Sequence, residues 1–147
     1  MGREKGHEGF QAKRSWWIMI GRAPCQFVAL NLPSPVSTND IWRPVKRGNH
    51  ASMVRTSTYN AWVAEAGYML NSQHPGIVEG PYALTIKVEW SSGLDIDNCI
   101  KATSDLLQAH GVIENDKLAQ KITVERAAVK GMTIMVASTR EVIASEA

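Results

Sequence analysis

Three acidic side chains in the stretch LDIDNCIKATSDLLQAHGVIEND could do chemistry together: Asp95 and Asp97, one residue apart, and Asp116 beyond a helical segment. Residues two apart on an extended chain project to the same side, with Cα atoms about 7 Å apart. On that reading the two carboxylates converge and Ile96 turns into the fold. Carboxylates so placed disfavour each other's ionised forms unless a proton or a cation lies between them. A hard divalent cation, Mg2+ above all, relieves the repulsion through oxygen ligands and keeps water in its shell. With Asp116 completing the set, such a centre suits phosphodiester hydrolysis. Lys101, four residues after Asp97, falls on the same helical face, where an ammonium would stabilise charge developing on a phosphate. The plain alternative is an N-cap aspartate, a turn and an exposed ion pair, and the residues alone leave both readings open.

A cation centre made of carboxylates repels a nucleic acid unless basic residues surround it. The segment around Gly48-Asn49 carries Arg43, Lys46, Arg47 and Arg55, with Trp42 beside them. These four cations are the candidate DNA-backbone contacts, since phosphate neutralisation dominates such affinity. An ordinary solvated loop would have the same composition. The net charge of +2 is too small to decide between them.

These residues need a scaffold, and the chain has the length and the 44% hydrophobic content for one ordinary domain. Cys25 and Cys99 lack metal-ligand spacing and make no disulfide framework. The apolar run Trp16 to Ile20 is short and Arg22 follows it without a cleavage site, so no secretion signal is expected. No segment approaches the ~20 apolar residues of a membrane span. A cytoplasmic protein is the expectation.

A compact apolar run ended by Pro33 and Pro35 predicts a strand over Phe27 to Leu32, and period-2 alternation predicts a central one over Tyr82 to Trp90. Spacings of three and four predict helices over Thr58 to Asn71, capped by Ser57 or Thr58, and over Asn98 to His110, capped by Asp97 or Asn98. QKITVERAAV and MTIMVAS read as two strands joined by a hairpin-like turn at Lys130-Gly131. The Pro-rich stretch after Leu32 ends in a polar turn, Ser37 to Asp40. The expected fold is α+β, a mixed and largely antiparallel sheet with two main helices. Residues 1–25 are expected to be an extension dispensable for catalysis, 26–140 the domain, and 141–147 a tail.

LDIDNCIKATSDLLQAHGVIENDKLAQKITVERAAVK resembles the signature of the RusA family of Holliday junction resolvases, in which D-[LI]-D-N-x-x-K opens a helix and a [DN]-D pair precedes a strand. ALNLPSPVSTND is similar to that family's opening strand and Pro-rich turn, ending in Asn39, so the likeness runs from Phe27 to Ser138. The resemblance implies a homodimeric, magnesium-dependent endonuclease that nicks four-way DNA junctions symmetrically. It places the metal-binding aspartates at Asp95, Asp97 and Asp116 and the catalytic lysine at Lys101. Leu94 stands where relatives often carry arginine, and Asn115-Asp116 replaces a double aspartate. Residues 1–25 have no counterpart, with Met19 an alternative first residue. Two other functions fit the same features: a nuclease for flaps or other branched DNA, and a junction-binding protein without catalysis.

Overall fold

A computed structural model describes residues 22–36 and 41–140. The expected turn from Ser37 to Asp40, the tail 141–147 and most of the expected extension lie outside the described residues. The order of elements is β1 (Phe27–Leu32), β2 (Trp42–Arg47), β3 (His50–Arg55), α1 (Ser57–Ser72), β4 (Tyr82–Glu89), α2 (Cys99–Ala109), β5 (Ala119–Ala127) and β6 (Met132–Ser138). Four strands form one sheet in the order β1-β6-β4-β5, while β2 and β3 form a separate ribbon. Only the β4/β5 pair is parallel, so the fold is α+β with a mixed, largely antiparallel sheet.

Alternation in β4 is carried through in three dimensions. Tyr82, Leu84, Ile86 and Val88 are all buried, and the intervening residues are half-buried. Val28, Leu30 and Leu32 of β1 and Met132, Ile134 and Val136 of β6 extend the same apolar face. Helices α1 and α2 cover it with Trp62, Ala66, Leu70, Ala102, Leu106 and Leu107. Each fully buried Val, Leu, Ile or Met side chain among these contributes about 1.5–3 kcal/mol.

Helix α1 starts one residue earlier than its periodicity suggests. Its cap is Thr56, whose hydroxyl accepts from the Tyr59 backbone N–H at 3.2 Å, rather than Ser57 or Thr58. Helix α2 is preceded by a 3-10 turn, Ile96–Asn98, and no side chain caps it. The chain packs the two helices closely at Gly67, where an added Cβ would lie 2.8 Å from Nε2 of His110.

Three further expectations are corrected. The last two strands do not form a hairpin, because β4 lies between them: β5 runs parallel to it and β6 antiparallel. The link between them crosses the end of β4. There the Glu89 backbone N–H donates to the Gly131 carbonyl and the Gly131 N–H donates to the Glu89 carboxylate, both at 3.0 Å. The basic segment expected as a loop is a β-ribbon, with Arg47 paired to His50 and Gly48 supplying the positive φ that the tight turn needs. Finally, residues 22–25 belong to the body. Arg22 is buried, donating from Nε to the Pro75 carbonyl and from a terminal nitrogen to the His110 carbonyl. Ala23 and Cys25 bond the backbone of Ile77.

His110 therefore sits where α1, α2 and the segment bearing Arg22 meet. Burial, and then the Arg22 guanidinium, holds its imidazole below the ordinary 6.5. The folded chain binds fewer protons there than the unfolded chain, so this contribution to stability is full above the unfolded value and falls as pH drops through it. We expect the wild-type Tm to decline on acidification from roughly pH 7.5 to roughly pH 5.5, and His110→Gln to flatten that decline. Thermal melts of both proteins across the range check this.

Candidate metal and nucleic-acid site

Asp95 and Asp97 follow the C-terminal end of β4. Gly93, at φ 70°, turns the chain out of a 3-10 turn over Trp90–Ser92, and Asp95 is extended while Asp97 lies within the next 3-10 turn. Both aspartates are exposed. Ile96 is 38% exposed and does not turn into the core, because the 3-10 turn breaks the alternation expected of an extended chain. The anchors of this loop are its neighbours. Leu94 packs against the core and Cys99 is fully buried. The Asn98 N–H donates to the Asp95 carbonyl at 3.1 Å.

Arg126, near the end of β5, holds the loop from beneath. Its guanidinium donates to the Leu94 carbonyl. It also lies close enough to Cys99 to oppose the upward push that burial, above all, and Asp97 give that thiol. Its register opposite Val88 puts Arg126 on the helix-covered face.

Asp116 lies at the other end of the parallel pair. Its carbonyl accepts from the Tyr82 hydroxyl at 3.4 Å, its N–H donates to the Gln108 side chain at 2.9 Å, and Asn115 closes the turn by accepting from the Lys117 N–H. Burial, followed by the Asp116 charge, raises the Tyr82 hydroxyl above its ordinary pKa. The length of α2 from Asn98 to Gln108 separates the two acidic positions by roughly 15 Å. That is too far for one cation to bind carboxylates from both. Among the described residues no three His, Cys, Asp or Glu side chains converge. A single chain thus presents the expected triad in two pieces, at opposite ends of β4 and β5.

Lys101 leans along α2 toward Asp105, not back toward Asp97. Nζ lies 3.0 Å from Oδ1 of Asp105, and this bond, with its charge, raises the ammonium's pKa; Asp116 adds to the effect. The ammonium stays charged and on the Asp116 side of the helix.

The ribbon β2/β3 departs from the body between Ile41, whose carbonyl accepts from the Thr56 N–H at 2.8 Å, and the cap of α1. Arg43 and Arg47 share one face with His50, while Lys46 shares the other with Arg55, and all are exposed. Arg55 differs in role. Its guanidinium lies over the Trp42 ring at 5.7 Å and the Tyr59 ring at 5.4 Å, pinning the ribbon to α1 by cation–π contacts. Arg43, Lys46 and Arg47 are the outward cations. No helix among the described residues is long and apolar enough to cross a membrane.

Comparison with protein-family models finds no match to this chain, and comparison with curated proteins finds none.

Because the ribbon's outer cations are exposed and take no part in the core, replacing Arg43, Lys46 and Arg47 together by alanine should leave Tm within about a degree or two of wild type. The same change should weaken binding to a polyanion such as heparin and shift its elution to lower salt. Arg55→Ala should instead lower Tm. A melt and a heparin column on the two variants distinguish an anchoring cation from a binding one.

Proposed function

We propose that this chain is a magnesium-dependent, structure-selective endodeoxyribonuclease of the RusA type, acting in the cytoplasm as a homodimer that resolves four-way DNA junctions by paired nicks. The observation that carries the reading is the exposed Asp95-Asp97 pair at a strand-to-helix junction, in the D-I-D-N-x-x-K context, with an ordered Asp116 before the next strand. The resemblance points to these residues, and the fold sets Asp95 and Asp97 at one end of the β4/β5 pair and Asp116 at the other.

Asp95 and Asp97 offer two exposed carboxylates with room for water, and Asp116 offers a third on a rigid turn, but one chain does not bring them together. Two chains related by a twofold axis would: Asp95 and Asp97 of one copy and Asp116 of the other would hold Mg2+, twice per dimer. Bound there, the ion supplies a polarised phosphoryl oxygen and an acidified water. Lys101, kept protonated by Asp105, stabilises negative charge on the phosphate or its leaving oxygen. Arg43, Lys46 and Arg47 on the ribbon grip the sugar-phosphate backbone and read branch shape, not base sequence.

Purified protein should nick a four-way junction in magnesium and spare linear duplex. Asp97→Asn should remain folded and bind junctions, yet cleave slower by orders of magnitude, each ~1.4 kcal/mol of lost transition-state stabilisation being tenfold. Mixing Asp97→Asn with Asp116→Asn chains should restore single nicks, since one of the two shared sites in each mixed dimer is intact. No rescue would place each site within one chain. Metal-independent binding with no cleavage by wild type would identify a binding protein, and cutting of flaps without symmetric nicks on junctions would identify a branched-DNA nuclease.

A further inference from the structure

The sheet has two edges, and the chain treats them differently. At the β1 edge, Gln73 from the end of α1 acts as a substitute strand: its side-chain oxygen accepts from the Asn31 N–H at 2.9 Å and its amide nitrogen donates to the Asn31 carbonyl at 2.8 Å. Trp62 closes the next carbonyl, that of Pro33, at 3.0 Å. At the other edge β5, nine residues long, pairs with β4 on one side only among the described residues. It carries no proline, and Ile122 on its helix-side face is 39% exposed. A long uncovered edge with an exposed aliphatic is a template for another strand.

The sequence of that edge, AQKITVERA, is self-complementary about its middle residue. If two copies pair antiparallel with Thr123 on the dyad, Lys121 faces the partner's Glu125, Ile122 faces the partner's Val124, and Ala119 faces the partner's Ala127. Lys121 and Glu125 meet opposite charges and Ile122 and Val124 meet aliphatics, at both halves by symmetry, while Arg126 falls opposite a glutamine. Centring the dyad on Ile122 or Val124 instead sets Lys121 and Glu125 against uncharged residues. Lys87 already lies 3.7 Å from Glu125 across the β4/β5 pair, so the partner's Lys121 would extend a charged row on that face.

We infer that β5 is the dimer interface, joining two four-stranded sheets into one continuous sheet through an antiparallel β5–β5 pair centred on Thr123. The pairing has a consequence for the acidic residues. Asp116 precedes β5 by three residues, and the Asp95-Asp97 loop is tied to the far end of β5 through Arg126 and Leu94. Reversing one strand against the other carries Asp116 toward the partner's acidic loop, at both ends of the pair. This inference names the surface by which the proposed nuclease completes its sites, and in that sense rests on that reading.

The test is a charge-swap cycle read by sedimentation. Lys121→Glu and Glu125→Lys each set like charges opposite one another twice, and each should weaken self-association by about tenfold or more. The double variant Lys121→Glu/Glu125→Lys restores both opposed pairs and should dimerise like wild type. Thr123→Cys brings two thiols to the dyad at Cα separations of about 4.5–5.5 Å, within disulfide reach, and should give a covalent dimer on mild oxidation. Unchanged association in the single variants, a double variant weaker than either, or no crosslink through residue 123 overturns the interface. A dimer that ignores these changes and still cleaves junctions removes this interface and leaves the nuclease reading in place. The expected swap pattern in a protein that never cleaves upholds the interface and removes the nuclease reading.

Discussion

Burying one whole face of β4 is the constraint on which the remaining architecture depends. Tyr82, Leu84, Ile86 and Val88 are each at most 1% exposed, which requires a neighbouring strand on both sides and helices above. Supplying β5 as the parallel neighbour obliges the chain to return along α2, since parallel strands cannot be joined by a tight turn. That return is what sends the Asp95-Asp97 loop to one end of the strand pair and Asp116 to the other. The separation of the acidic residues follows from packing the core, not from anything at the candidate site itself.

Electrostatics are arranged around that separation. The candidate carboxylates, exposed at Asp95 and Asp97 and half-buried at Asp116, have ordered backbones beneath them: Arg126 under the Asp95-Asp97 loop, and Gln108, Tyr82 and Asn115 around Asp116. Cations that project outward are concentrated on a ribbon that contributes almost nothing to the core. The ribbon is held at its base by Arg55 between two aromatic rings, so a single basic residue converts a weakly packed hairpin into a fixed arm.

What could be read from the sequence follows the same division. β1, β4 and both helices have one dry face, so hydrophobic periodicity reveals them nearly to the residue. The ribbon is wet on both faces, and WRPVKR and HASMVR therefore carry no alternation to read. Periodicity also says nothing about which strand lies beside which. The short gap between β5 and β6 suggests a hairpin, yet β4, with four fully buried side chains, lies between them. At the site, residue types were legible but orientation was not: Lys101 had two acidic neighbours at helical spacing, Asp97 and Asp105, and the 3-10 turn decides for Asp105 by removing Asp97 from the regular helix. Arg22 was hidden because a single buried cation in an irregular segment has no pattern at all.

The carboxamide of Gln73 against the backbone of Asn31 has a consequence for assembly size. A sheet with both flanks bare can recruit copy after copy into a fibril. With the N–H and carbonyl of Asn31 on the β1 flank already bonded by its own side chain, this sheet has its freer edge at β5 among the described residues. One glutamine thereby biases the sheet against open-ended growth from both flanks.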